Sequence, residues 1–243
     1  MQMRVVQQID EDAWRAFVAQ EACSNIFHTP EMMQVFNRAK GYQPELWATV
    51  DDNDQLLALF LPVQITVLDR PFLRNLTTRA VLYGSVLCTP TPAGQEALDL
   101  LLQTYNRAVK RRLLFTELRN LADVNNLQPT LQKNNVTYEE HLNFLINLNQ
   151  PQANIWKAVR SNAQRNVRKA RKSGVVIEHV TDDAGLADAY AILQQVYKRI
   201  QVPLPDQSLF QAAFEILHPV GMFETLLAKV DGGIIGAMML LLH

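Results

Sequence analysis

The strongest constraint on the fold of this chain is an internal repeat in the order of its predicted elements. A short β-strand, two α-helices and a β-hairpin are predicted once from about Val5 and again from about Val175. The opening stretches VVQQIDED and VVIEHVTDD share a pattern, because in each a short strand runs into an acidic turn. A repeat of this length indicates two copies of one fold instead of a solenoid of short units.

Capping and turn residues mark the boundaries of the repeated elements. Asp10 or Asp12 is expected to cap the first helix of the first copy. For the second helix, Thr29 predicts the N-cap, Pro30 the first residue and Gly41 the end. The hairpins are predicted to turn at DDND in the first copy and at DGG in the second.

Further elements follow the first copy. We predict strands over 55–68 (the second arm of the hairpin), 80–88, 113–121 and 141–148, and helices over 94–112 and 127–135. The longer helix has an apolar face, formed by Leu98, Leu101, Leu102, Tyr105 and Val109. This mixture of strands and helices predicts an α/β class with a mixed sheet. The polar segment NLNQPQ predicts a boundary between two domains, 1–150 and 151–243.

Composition narrows the class of protein. The 243 residues are 48% hydrophobic, which is enough to bury a core. The longest apolar run, IIGAMMLLL, is too short to span a bilayer, so a soluble, cytoplasmic protein with at most peripheral membrane contact is expected. Cys23 and Cys88 are expected to be buried thiols, and with five scattered histidines they predict no metal site.

Positive charge is concentrated in one stretch, IWKAVRSNAQRNVRKARKSG. Of the ten basic residues in 151–243, seven lie between Lys157 and Lys172, and no acidic residue occurs from Ile155 to Val176. We predict one helix with an apolar face, ended by Gly174; the residues of that face are Trp156, Val159, Ala163, Val167 and Ala170. A solvated face and a nucleic-acid patch are the alternatives to a phosphate site. The net charge of −1 argues against DNA as the partner.

Three motifs in order carry a family resemblance. The first is the basic segment, with Trp156, Arg165, Lys169, Ala170, Lys172, Gly174 and Val175. The second is VYKRIQVPLPD, with Tyr197, Arg199, Pro203 and Pro205, and the third is the hairpin LLAKVDGGIIGAMM. Together they resemble the FemAB-like aminoacyl/acyl transferases of the GNAT superfamily. The resemblance implies two tandem GNAT-like acyl-CoA N-acyltransferase domains.

The resemblance also implies a function. It suggests transfer of an acyl or aminoacyl group from CoA or aminoacyl-tRNA, as co-substrate and not as a tightly bound cofactor, to an amine of a cell-envelope (peptidoglycan-type) precursor. Phosphates of a small or lipid-linked acceptor, or of tRNA, would be bound by Arg165, Arg168, Lys169 and Lys172. Tyr197 and Arg199 would lie at the acceptor cleft. Gly236, inside an apolar strand, indicates that a ligand or a neighbouring backbone passes close to it. No catalytic base can be named.

The chain also departs from the family. The Q/R-x-x-G-x-G/A loop that grips CoA pyrophosphate in ordinary GNAT enzymes is absent, as is the long helical hairpin of peptidoglycan-building members. A non-catalytic module that binds a phosphorylated ligand, nucleic acid or protein is therefore the alternative. By comparison with the first copy, the second lacks on the order of 80–100 residues, which predicts a truncated, poorly active chain. Its last strand, IIGAMMLLLH, would be an exposed edge prone to self-association.

Overall fold

The computed structural model describes residues 2–66, 77–141 and 144–243. Its chain forms two compact units. The first consists of Met1–Thr137, Pro205–Phe223 and Leu241–His243, and the second of Tyr138–Leu204 and Glu224–Leu240. The first compact unit contains residues from both predicted domains, 1–150 and 151–243. The division into those two domains stays a prediction.

The first unit contains strands and helices in mixed order. Its strands are β1 (Arg4–Val6), β2 (Tyr42–Pro44), β3 (Trp47–Val50), β4 (Leu56–Phe60), β5 (Val63–Thr66), β6 (Thr78–Leu82), β7 (Leu87–Cys88) and β8 (Thr116–Leu118). Its helices are α1 (Glu11–Gln20), α2 (Pro30–Arg38), α3 (Pro92–Val109), α4 (Gln128–Lys133) and α8 (Gln207–Leu217). This confirms the predicted mixed α/β class.

The eight strands of this unit form two sheets. One has the order β1-β3-β4-β7 and the other the order β2-β5-β6-β8. Neighbouring strands are antiparallel, except that β6 and β8 run parallel. A parallel pair needs a crossover, and here α3 lies between the two strands in sequence.

Two predicted strands are each divided between the sheets. The strand predicted over 55–68 is β4 in one sheet and β5 in the other, with Pro62 at the change, and its residues 67–68 lie outside the described residues. The strand predicted over 80–88 is likewise β6 and β7, separated at Ser85, whose φ is 67°. Proline has no N–H for a sheet ladder and a positive φ breaks the strand, so the chain turns a corner at both places.

The core of the first unit confirms the predicted apolar face of α3. Its five predicted residues are all buried. The Tyr105 ring lies edge-on to Trp47 at 5.3 Å and to Phe60 at 5.2 Å. Burying one such large apolar side chain contributes roughly 1.5–3 kcal/mol, so packing holds α3 on the sheet.

The predicted caps are also present. Asp10, and not Asp12, caps α1 by accepting hydrogen bonds from two backbone N–H groups. Thr29 caps α2, and its hydroxyl accepts from Met32 N at 3.1 Å. The helix ends at Arg38, followed by Gly41 at φ 87°. Local hydrogen-bond chemistry therefore sets where these helices begin.

Helix α8, from the second copy, belongs to the first unit. It bears a buried face of Ala212, Ala213, Phe214 and Leu217. Arg38 of α2 forms an ion pair with Glu215 at 3.0 Å, and Lys40 N donates to Ser208 Oγ at 2.8 Å. The two second helices of the repeat thus contact each other within one unit.

The second unit contains α5 (Gln152–Ala158), α6 (Ser161–Lys172), β9 (Val176–His179), α7 (Asp183–Ile200), most of β10 (Phe223–Val230) and β11 (Gly233–Leu241). Its sheet has the order β11-β10-β9, with β9 antiparallel to β10. The repeated order of strand, two helices and hairpin is confirmed, as β1-α1-α2-β3-β4 and β9-α7-α8-β10-β11, with β2 as an addition in the first copy.

Two local predictions are wrong. Residues 144–148, predicted as part of a strand over 141–148, belong to none of the described strands, and Phe144 and Leu145 are largely exposed; residues 142–143 lie outside the described residues. Cys23 is exposed and Cys88 is only partly buried. An apolar run can form a strand only when a neighbouring strand is available, and tertiary structure decides that.

Candidate functional site

The basic segment forms two helices instead of one. Helix α5 ends at Ala158 and α6 begins at Ser161, because Val159 and Arg160 have extended backbone angles. The Gln164 side-chain amide closes the break, donating to the carbonyls of Trp156 at 2.8 Å and Val159 at 2.9 Å. The Trp156 carbonyl also accepts from Val159 N at 3.2 Å, and Gln164 adds a side-chain cap to the C-terminal end of α5. The predicted continuous apolar face is therefore wrong.

The end of α6 is set as predicted by Gly174. Its φ is 78°, and its N–H donates to Arg171 O while Val175 N–H donates to Ala170 O. This is a Schellman motif, in which a left-handed glycine lets the chain reverse over the last turn. Lys169, Arg171 and Lys172 lie in that last turn, where the helix dipole favours positive charge.

The basic side chains of α6 are free for a ligand. Arg165, Arg168, Lys169 and Lys172 are all exposed. Within the described ranges none of them forms an ion pair, and the one hydrogen bond among them joins Arg168 to Gln164 at 3.3 Å. Arg15 of the first unit differs, since it binds Glu31 at 2.7 Å and Glu11 at 2.8 Å. Uncompensated like charges on one helix favour an anionic partner.

Tyr197 and Arg199 lie in the last turn of α7. Tyr197 is partly buried and Arg199 is exposed. The helix ends at Ile200 and is capped by Gln201, whose φ is 56°, and Val202 N–H donates to Tyr197 O. In the described part of the chain no hydrogen bond or ion pair joins this turn to the basic residues of α6. Their common role at an acceptor cleft stays a prediction.

Gly236 lies in β11 beside Ala228 of β10. A Cβ placed on Gly236 would come 3.7 Å from the Ala228 Cβ, an ordinary contact, and no backbone atom lies within 4 Å of that position among the nearest atoms. A neighbouring backbone therefore does not explain the glycine. A close ligand stays a prediction.

A pair that sequence reasoning missed lies on the same sheet. His179 Nδ1 of β9 is 2.5 Å from Glu224 Oε1 of β10. The register pairs His179 with Leu226, so Glu224 is its diagonal neighbour on that face. A histidine oriented by a carboxylate is a common general base. The 45-residue separation hid the pair, because only the strand register brings the two residues together.

The strand, two helices and hairpin of the second copy form the opening of the GNAT acetyltransferase fold. Residues 157–243 match the family model described as the acetyltransferase (GNAT) domain. That segment contains α6, the His179–Glu224 pair, Tyr197, Arg199 and Gly236.

Solved structures extend the comparison to nearly the whole chain. The crystal structure of FemX aligns with 95% of this chain at a TM-score of 0.66 and 16% identity. The alignment covers 58% of the FemX chain, so this chain spans less than two thirds of its length. The GNAT-domain match agrees with the GNAT resemblance predicted from the three motifs, and the FemX alignment shows that the fold is shared.

Other solved structures are less similar. An N-acetyltransferase region of a fungal multi-domain GH3 β-N-acetylglucosaminidase has a TM-score of 0.49 at 10% identity, covering 97% of this chain and 27% of its own. A ribosomal-protein-alanine N-acetyltransferase from Brucella melitensis biovar Abortus 2308 has 0.40 at 12% identity, covering 61% of this chain and 100% of its own. A search of curated proteins found no significant match.

Two further structural findings concern residues 2–66, 77–141 and 144–243. None of the helices described there is both long and apolar enough to cross a membrane. No group of three or more His, Cys, Asp or Glu side chains is placed to hold a metal ion in the same residues.

Proposed function

We propose that this chain is an N-acyltransferase that moves an acyl group from acyl-CoA to the amine of a phosphate-bearing acceptor. The observation that carries the proposal is α6, whose exposed basic residues lack ion-pair partners in the described part of the chain and lie inside the segment that matches the GNAT domain. Acyl-CoA is the co-substrate of GNAT acetyltransferases, which favours CoA over aminoacyl-tRNA as the donor.

The reaction needs no covalent intermediate on the protein. The acceptor amine attacks the thioester carbonyl, a C–N bond forms, the C–S bond breaks, and CoA leaves as the thiol. One proton must leave the amine nitrogen, and a positioned base speeds this step. We assign that role to His179, held by Glu224 at 2.5 Å. Placing donor and acceptor close together supplies most of the remaining acceleration.

The phosphate groups of the acceptor would lie along α6. Arg165 and Lys169 are four residues apart, as are Arg168 and Lys172, so each pair shares a helix face. The planar guanidinium can bind two phosphate oxygens at once. A cell-envelope precursor, joined to a nucleotide or a lipid through phosphate, is the acceptor class that the FemAB-like resemblance suggests. Tyr197, Arg199 and Gly236 would lie along the acceptor itself.

The first test replaces Arg165 and Lys169 together by alanine. Losing each charge-assisted contact costs roughly 1.5–3 kcal/mol, so with both removed the affinity for a UDP-sugar, measured by calorimetry, should fall at least about 100-fold. The melting temperature should not change, because both side chains are exposed and unpaired in the described structure.

The matched control replaces Arg107 and Lys110, an exposed pair near the end of α3 in the first unit. It should leave the affinity unchanged. Equal loss in both double variants would show a nonspecific charge effect and contradict the assignment to α6. Stabilisation by tRNA and not by acetyl-CoA would identify an aminoacyl donor. Ligand binding without any turnover would identify the non-catalytic module.

The second test concerns the base. Replacing His179 by alanine should lower kcat about 10²–10⁴-fold with acetyl-CoA and an amine acceptor, the usual contribution of a general base. Replacing Glu224 by glutamine should lower kcat less, since the imidazole remains. His141→Ala removes another exposed histidine and should leave turnover intact. Unchanged kcat in the His179→Ala variant would overturn the assignment.

A further inference from the structure

The first unit contains a cavity that the proposed function does not use. Its volume is about 400 Å³, within the range of sites for small molecules. The end of α1, the corner between β6 and β7, and the loop before α4 form its walls, which include residues 20–23, 84–90 and 122–127. These segments all belong to the first compact unit.

The charge of the cavity is of one sign. Among the described residues, Glu21 and Asp123 are its carboxylates, and no lysine, arginine or histidine lines it. In the described residues neither carboxylate has an ion-pair partner, and Asp123 Oδ1 accepts one hydrogen bond, from Asn125 N at 2.9 Å. Partial burial raises the pKa of the Glu21 carboxyl.

The surrounding backbone also favours a positively charged ligand. Helix α1 ends at Gln20, and the carbonyl end of a helix carries partial negative charge. The opposite, positive end of α3 is near the cavity through Gln95, but Thr91 already caps it by accepting from Gly94 N at 3.1 Å. Of the described residues, the phosphates of CoA would therefore meet two carboxylates and no basic side chain. Apolar walls, including Val86, Leu87 and Leu127, suit a short carbon chain.

We propose that this cavity binds a small protonated organic amine, held by the carboxylates of Glu21 and Asp123. The carbon chain of the ligand lies against the apolar wall, and Ser85, Thr89 and Asn126 offer oxygen acceptors to further N–H groups. The site lies wholly in the first unit, so the proposal does not depend on acyl transfer by the second copy.

The experiment titrates the full chain with 1,5-diaminopentane by calorimetry. The size-matched controls are 1,5-pentanediol, which has no charge, and glutarate, which has the opposite charge. The diamine should bind, and neither control should. Glu21→Gln and Asp123→Asn keep the side-chain size and should each weaken binding about 10-fold or more. Glu96→Gln, on the exposed side of α3 outside the cavity, should leave binding unchanged.

A second readout places the ligand in the cavity. Cys23 is exposed and lines the cavity, so its alkylation by iodoacetamide can be followed in a Cys88→Ser variant. Saturating diamine should slow this reaction several-fold. Absence of diamine binding, equal binding of the diol, an equal effect of Glu96→Gln, or unprotected Cys23 would each overturn the proposal.

Discussion

The two hairpins of the repeat differ in how much of each face is buried. In the first, successive residues of β3 and β4 are buried on both faces: Trp47 and Phe60 lie in the cluster with α3, while Ala48 and Leu59 lie in the cluster with α1. In the second, alternate residues of β10 are buried (Phe223, Thr225 and Leu227), and those between them are only partly buried.

The difference does not come from hydrophobicity. The strands LLALF and GIIGAMMLL are both apolar, yet Ile235 and Met238 of β11 are more than half exposed. A strand buries both faces only when elements pack on both sides of its sheet. In the described order β11-β10-β9, β11 is an edge, so self-association through it stays a prediction.

The largest expected loss of stability comes from shortening one leucine in each hairpin. Leu59→Ala, at a fully buried position of β4, should lower the free energy of unfolding by about 2–5 kcal/mol through lost transfer energy and a cavity. Leu226→Ala, at a partly buried position of β10, should cost about 1 kcal/mol or less. Chemical denaturation followed by tryptophan fluorescence measures both. Similar losses would show that the second hairpin is equally well covered.

The next prediction compares the pH dependence of stability contributed at the starts of α2 and α8, the second helices of the two copies. Burial lowers the pKa of His28, just before α2, to about 4 from an ordinary 6.5, so the unfolded chain binds more protons between these values. Stability should therefore fall as the pH drops from about 6.5 to 4, by up to roughly 3 kcal/mol. At the start of α8, hydrogen bonding from Ser208 lowers the pKa of Asp206, so stability there is lost only below about its ordinary 3.8.

Denaturation curves between pH 7 and 4 check the prediction. The slope should disappear in His28→Gln and persist in His141→Gln, which changes an exposed histidine. An unchanged slope in the His28 variant would assign it to other groups.

The smallest effect compares two glycines, Gly84 of the first unit and Gly236 of the second. A Cβ on Gly84 would come 2.5 Å from Asn25 Oδ1 and 3.0 Å from His28 Nε2, so Gly84→Ala should cost about 1–3 kcal/mol. Gly236→Ala meets only the Ala228 Cβ at 3.7 Å and should be neutral or stabilise by up to about 1 kcal/mol. Thermal unfolding measures both. A destabilising Gly236→Ala would show that β11 is packed more tightly at this position than the 3.7 Å contact with Ala228 indicates.

Residues that act on their own neighbours could be predicted from the sequence. Thr29 caps α2 and Gly174 ends α6, because each cap involves atoms within a few residues. The apolar face of α3 was predictable for the same reason, since helical periodicity places its residues on one side. The basic charge of the segment from Lys157 to Lys172 is likewise a property of the sequence alone.

Contacts between distant segments were decided only by the tertiary structure. The strand register joined His179 to Glu224, packing against α2 placed α8 in the first unit, and the bond from Gln164 allowed the break that made two helices of one predicted helix. The strand expected over 141–148 was wrong for residues 144–148, which belong to none of the described sheets, since an apolar pattern alone does not place a segment in a sheet. Local patterns specify propensity, whereas pairing and burial depend on what the rest of the chain places alongside.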